Sequence, residues 1–215
     1  EQTDLNQALY GRNGECPVAV IAPHSPSHCF VTAFFAAKYA LEHQMPVIIL
    51  SEGFLGNGSE PWKIPDMNDY PAINPPIVTE LEPDEPYFYP FKRDTQTMAT
   101  RWALPGTPNL EHRVGGLEKN HKGAVSSDPM VHQQMVNERA EQVARLARFI
   151  PPQQIIGEQQ GDILMVSWGG TYEHMLSAAS QLQSEGFKLS LAHFDYLYTL
   201  PTNTTDVLNR FKTLI

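Results

Sequence analysis

Glu52-Gly53-Phe54, within PVIILSEGFLGNGSEPW over residues 46–62, is where this chain could most readily do chemistry. The apolar run Pro46 to Leu50 reads as a buried strand. It empties into a polar loop broken by Gly53, Gly56 and Gly58 and closed by Pro61-Trp62. Open α/β sheets hold their ligands at the carboxyl ends of their strands. A carboxylate there can orient a ligand or move a proton, and Glu52 is so placed. A solvated loop acid is the equally common alternative. The loop by itself names no reaction.

Two other groupings carry the right residue types. Gly169-Gly170-Thr171 follows a strand and opens a helix, so its amides could hold a phosphate. It lacks the later glycine of GxGxxG and has no GK[ST], which favours a tight strand-to-helix turn. His24, His28 and Cys29 lie at another strand's carboxyl end and suit zinc by type. Pro26 separates the histidines and no fourth ligand is evident, so capping and packing at a helix start is the default reading. No residue is therefore assigned to a metal. His112, His121 and His132 have no ligand spacing and read as solvated. There is no GxSxG elbow, and Cys29 has no evident base, so nucleophilic catalysis has no support and no catalytic residue is assigned.

The elements that must position these residues form two α/β units separated by an arm. In the first, Asp4–Tyr10 reads as a short helix ended by Gly11, and Val18–Ala22 as a buried strand. Ser25 is the expected N-cap and Pro26 the first helical residue of a helix over 26–43, with Phe30, Phe34, Ala37 and Leu41 inward. Pro46–Leu50 completes a βαβ unit of a parallel sheet. Residues 56–127 hold prolines at 61, 65, 71, 75, 76, 83, 86, 90, 105 and 108, which excludes a long helix or a central strand. The scattered Trp62, Tyr70, Tyr87, Phe88, Tyr89, Phe91 and Trp102 are too aromatic for a free linker. They imply an extended arm that packs its rings onto a surface, another subunit's being one candidate. A helix near 129–149 follows, capped from Ser126, Ser127 or Asp128, with Val136, Ala140, Val143 and Ala147 on one face and Leu146 and Ile150 flanking it. Pro151-Pro152 stop it. The second unit runs strand 162–168, helix 172–185 with Met175, Ala178, Ala179 and Leu182 inward, strand 189–194, helix 203–210 and the start of a third strand at 213–215.

With 215 residues and 41% hydrophobic content the chain can bury a real core. Its net charge of -9 argues against nucleic acid as the main partner. Cys16 and Cys29 are its only cysteines, too few for the thiolates of an iron–sulfur cluster, and they suggest a reducing compartment, hence a cytoplasmic protein. The apolar runs are too short to span a bilayer, so no membrane role is expected. Without an initiator Met, and with a sheet ending mid-strand, the chain reads as cut from something longer.

Three stretches together carry a family resemblance: EQTDLNQALY leading to Pro17–Phe30, LSEGFLGNGSEPWKIPDM, and RVGGLEKNHKGAVSSDPMVHQQMVNERAEQVAR. They resemble the α subunit of 2-oxoglutarate:ferredoxin oxidoreductase, within the thiamine-diphosphate-dependent 2-oxoacid:acceptor oxidoreductases. The resemblance implies that residues 1–60 end a pyrimidine-binding domain, 61–160 form a connecting segment and 161–215 begin a transketolase-C-terminal-like domain. It implies oxidative decarboxylation of 2-oxoglutarate to succinyl-CoA, with electrons passed to ferredoxin. Pyruvate or a branched-chain 2-oxoacid as substrate, or a non-catalytic scaffold of the same fold, are the alternatives. A partner β subunit would carry the diphosphate-binding domain with Mg²⁺ and the iron–sulfur cluster, so this fragment alone would bind no cofactor and be inactive. The family's substrate motifs and activating glutamate would lie before Glu1. The family often has Asp-Gly where this chain has Glu52-Gly53. Glu52, Gly53 and Phe54 are then expected as neighbours of the thiamine pyrimidine.

Overall fold

The structure, a computed structural model, describes residues 2–215. Glu1, the first residue of the stretches that carry the resemblance, lies outside them. The first sheet grows from the chain's most continuous apolar run. Val18 to Ala22 is buried throughout, as expected of a strand covered on both faces. Here β1 (Ala19–Ile21) pairs in parallel with β2 (Val47–Ile49), Ala19 opposite Val47 and Ile21 opposite Ile49. The helix α1 (Gln2–Tyr10) precedes them, and Gly11 ends it by donating its amide to the Gln7 carbonyl.

Between the two strands, α2 (His28–His43) begins two residues later than its proline suggests. Ser27 rather than Ser25 stands at the N-cap, while the Ser25 hydroxyl accepts the amide of His28 from the preceding turn, which also holds Pro26. The face of α2 also differs from expectation. Thr32, Ala36, Tyr39 and His43 are buried, whereas Ala37 and Leu41 are exposed. The expected inward rings instead receive the arm. Tyr70 packs against Phe34 at 4.7 Å and Trp62 against Phe30 at 5.7 Å. A helix covered on two sides offers two apolar stripes, and Phe30 and Phe34 belong to the one that faces the arm.

A third strand, β7 (Tyr196–Tyr198), joins the other edge of β1 in antiparallel fashion. It completes the order β2-β1-β7. The Tyr196 hydroxyl lies 3.2 Å from that of Tyr39, beneath α2. The last section of the chain is thereby stitched to the first.

The loop after β2 contains a helical turn, α3 (Gly53–Asn57). Beyond it the arm has little regular structure: a 3-10 turn over Met67–Asp69, a two-residue parallel pairing of β3 (Ile77–Val78) with β4 (Trp102–Ala103) and a single bridge between Lys119 and Val125. Side-chain pins hold it. Glu85, Arg101 and Lys92 form a knot next to the buried Phe88. Arg93 spans from Glu138 to Gln142 on the following helix.

That helix, α4 (Pro129–Arg145), begins as the sequence indicated. The Asp128 carboxylate accepts the Met130 amide at 2.8 Å, with Pro129 at the first helical position. A 3-10 turn, Leu146–Arg148, prolongs it. Only its second half reaches the sheet. Val143, Leu146 and Ile150 are buried against Ala19, Tyr39 and Met45, while Ala140 is exposed. Asp128→Ala is expected to cost about 1 kcal/mol, with faster amide exchange confined to the first turn of α4. Unchanged exchange at Met130 would contradict this.

The second sheet is parallel, with β5 (Gly161–Trp168) between β6 (Leu189–Phe194) and β8 (Phe211–Leu214). It is packed by α5 (Tyr172–Ser184) and α6 (Thr204–Asn209). Met175, Leu176, Ala179 and Leu182 make the inner face of α5. Ala178, expected inward, is exposed. Among the described residues no helix is long and apolar enough to cross a membrane.

Candidate functional site

The carboxyl ends of β2 and β5 open into one cleft of about 820 Å³, with α1 forming a third wall. Leu50, Glu52, Ser167, Gly170 and Met175 are among its lining residues. Sequence pattern had separated its two halves by more than a hundred residues. The fold brings Glu52 against Gly170, so that a Cβ built on Gly170 would lie 1.6 Å from Glu52 Oε1. Only a residue without a side chain leaves room for that carboxylate. Gly169 serves differently, taking φ of 68° at the head of a 3-10 turn over Gly169–Thr171. The Gly-Gly pair is thus a strand-to-helix turn whose second glycine makes space for Glu52.

The Glu52 side chain is exposed at its end of the cleft and can swing aside. Gly170→Ala is therefore expected to change stability by less than about 1 kcal/mol while driving the carboxylate out of place. Any functional loss from Gly170→Ala should match that of Glu52→Ala, and the double variant should be no worse than either. Additive losses in ligand affinity would contradict the contact.

The loop carrying Glu52 is held at its far end. Glu60 Oε1 accepts the Ser27 amide at 2.6 Å and the Ser25 hydroxyl at 3.0 Å. Hydrogen bonds from the Ser27 side chain and amide keep the Glu60 carboxyl below its ordinary range. Between these anchors Phe54 is 60% exposed, tilted against His174 at 5.8 Å. Gly53 starts α3, and its carbonyl accepts the Asn57 amide group at 2.7 Å.

Beside the cleft lies a cluster of rings. His24 stacks on His28 at 3.8 Å, as their closeness in sequence allows. Cys29 takes no part, since its thiol is directed at the Ser25 carbonyl. The fold adds residues that sequence reasoning did not connect. Asp195 meets His24 Nδ1 at 2.8 Å. His193 lies edge-on to His24 at 5.7 Å, and Tyr172 packs against both. His193 Nδ1 is 2.8 Å from the Ser167 hydroxyl. Burial pushes His193 down to about 4; the nearby His24 and His28 add to this, and Asp195 opposes it. Burial likewise lowers His28, with His24 acting in the same direction. His112, His121 and His132 are all exposed on the arm and α4.

The chain matches the family described as "Pyruvate flavodoxin/ferredoxin oxidoreductase, thiamine diP-bdg" over residues 1–127. It is 44% identical over 218 aligned residues to "2-oxoglutarate oxidoreductase subunit KorA" of Mycobacterium tuberculosis, covering 100% of this chain and 32% of that protein. It is 28% identical to "2-oxoacid:ferredoxin oxidoreductase 1, subunit alpha" of Aeropyrum pernix, over 98% of this chain and 33% of the relative. A solved structure, "2-oxoglutarate:ferredoxin oxidoreductase from Magnetococcus marinus with 2-oxoglutarate, coenzyme A and succinyl-CoA bound", superposes with a TM-score of 0.87 at 25% identity, covering 98% of this chain and 36% of the other. The chain thus spans about a third of the length of these proteins.

Proposed function

Because the chain belongs to the pyruvate flavodoxin/ferredoxin oxidoreductase, thiamine-diphosphate-binding family, we propose that it is part of the α subunit of a 2-oxoglutarate:ferredoxin oxidoreductase. The observation that carries this reading is the 44% identity, across the whole chain, to a 2-oxoglutarate oxidoreductase subunit. The reaction is oxidative decarboxylation of 2-oxoglutarate to succinyl-CoA, with electrons passed to ferredoxin. It takes place in the cytoplasm and requires a β partner. Residues 1–60 contribute the end of the pyrimidine-binding domain, 61–160 the connecting arm and 161–215 the start of the next domain. The second sheet's own core supports a domain starting near 161, while the first core also takes Val143, Leu146 and Ile150 from the arm's helix and Tyr196 from β7.

When bound, thiamine diphosphate supplies the electron sink that decarboxylation of a 2-oxoacid needs. The residues present suit one half of it. The Glu52 carboxylate lines the cleft and can orient the polar edge of a pyrimidine; Gly53 and Phe54 follow it just outside the lining, where the exposed Phe54 ring is available to the pyrimidine's face. Ile49 and Leu50 give that end of the cleft an apolar wall. The diphosphate half finds no counterpart. Among the described residues that line the cleft Arg12 is the one cation, and its guanidinium donates to the Cys16 carbonyl. The diphosphate therefore falls to the β subunit or to residues outside this chain, and the reading assigns Mg²⁺ and, with only Cys16 and Cys29 here, the iron–sulfur cluster to the same places.

The test is thiamine diphosphate affinity in the complete complex. Glu52→Ala and Phe54→Ala are each expected to raise Kd about tenfold, near 1.4 kcal/mol. Unchanged affinity in both would remove these residues from the cofactor's surroundings.

A further inference from the structure

The ring cluster beside the cleft has no role in that proposal, and it assembles three side chains that can ligate a metal, two histidines and an aspartate, from two distant parts of the chain. His24 comes from the carboxyl end of β1, His193 from β6, and Asp195 from the single-residue link between β6 and β7. The Ala22 amide donates to the Asp195 carbonyl at 2.8 Å, which fixes that link against β1. One donor atom from each side chain lies within 4.8 Å of the other two.

The orientation of His193 is the second observation. Its Nδ1 is engaged by the Ser167 hydroxyl, while its Nε2 is buried without a hydrogen-bond partner. An imidazole held through one nitrogen by an outer polar group, with the other nitrogen bare, is how metal-ligating histidines are usually presented. A buried polar atom with no partner is otherwise a cost. The His24 and Asp195 side chains are 23% and 34% exposed, which gives an ion a way in. Tyr172 and His28 pack around the rings and limit their motion.

We propose that His24, His193 and Asp195 form a binding site for a divalent first-row transition-metal ion of the zinc class, with water completing the shell. Two imidazoles and one carboxylate suit such an ion, and three protein ligands plus water make an open site. Ligands at 2.0–2.1 Å around a tetrahedral ion stand roughly 3.3 Å apart, so modest side-chain rotations close the set. The ion replaces the direct His24–Asp195 contact. It ties the first sheet to the second beside the cleft and stabilises the folded chain by mass action. The site shares no residue with the proposed pyrimidine contacts, so its failure and theirs are distinguishable.

The experiment uses the full-length chain in its complex, equilibrated by dialysis against Zn²⁺. Zinc content is measured by mass spectrometry and the shell by zinc K-edge absorption, which iron–sulfur clusters do not obscure. His193→Gln and Asp195→Asn are the variants, with His24→Gln in reserve should either fail to fold. The expected result is one zinc per chain more in the wild type than in the variants, in a nitrogen- and oxygen-only shell. Zn²⁺ should also raise Tm in the wild type alone. Equal zinc content in wild type and variants, sulfur scattering, or an identical Tm response would overturn the proposal.

Discussion

Glu85→Ala is expected to destabilise the folded chain by about 3–5 kcal/mol. The Glu85 side chain is 2% exposed and that of Arg101 10%. One guanidinium nitrogen of Arg101 lies 2.7 Å from both carboxylate oxygens, and Lys92 adds a contact at 2.9 Å. The guanidinium also sits over the Phe88 ring at 5.0 Å. Removing the acid leaves the largely buried Arg101 with only the half-exposed Glu82, 3.4 Å away, in an arm that has almost no ladder hydrogen bonds of its own. Burial by itself raises the Glu85 carboxyl, but the hydrogen bonds from Arg101 and Lys92 outweigh it and hold it below 4.5. A depressed folded value means the stabilisation is complete above the unfolded value and is lost as pH falls through the folded one. The penalty of Glu85→Ala should therefore shrink as the solution is acidified below 4.5. Glu82, at 46% exposure, is the control, and its removal should cost less than about 1 kcal/mol. Chemical denaturation and amide exchange over residues 82–101 measure both. A Glu85 penalty no larger than that of Glu82 would contradict this account of the arm.

Leu146→Ala should cost about 2–5 kcal/mol, because the side chain is almost wholly enclosed and its neighbours come from rigid elements. Leu146 is 1% exposed among Ala19, Tyr39, Met45, Val143 and Ile150. It is the point at which α4, the exit of the arm, is driven into the first sheet. The denaturation midpoint should fall with little change in slope, whereas Leu146→Met should cost under about 1.5 kcal/mol. Equal small losses in both variants would mean that α4 is held by its polar links instead.

The elements with strong local signals were legible in the sequence. The continuous apolar runs gave β1, β2 and β5, and the cap at Asp128-Pro129 gave the start of α4. What escaped depends on distance along the chain. The strand β7 is three residues long and follows β6 after a single residue, so no periodicity marks it. The inward face of α2 is masked in the sequence because the arm supplies aromatic cover to its outer face. The site was legible in halves. Glu52 and the Gly169–Thr171 turn each stood out locally, but their contact is a tertiary fact. His24 and Asp195 are 171 positions apart, and only the crossing of β7 to β1 brings them together.

The central claim, that this chain forms part of a 2-oxoglutarate:ferredoxin oxidoreductase, is tested most directly on the full-length α chain co-expressed with its β partner. The measurement is ferredoxin reduction dependent on both 2-oxoglutarate and coenzyme A, with pyruvate and a branched-chain 2-oxoacid as competing substrates. The expected result is turnover that needs both subunits, thiamine diphosphate and coenzyme A, and prefers 2-oxoglutarate. Preference for another 2-oxoacid would reassign the substrate. Absence of reduction with every 2-oxoacid, in an intact and cofactor-loaded complex, would contradict the claim.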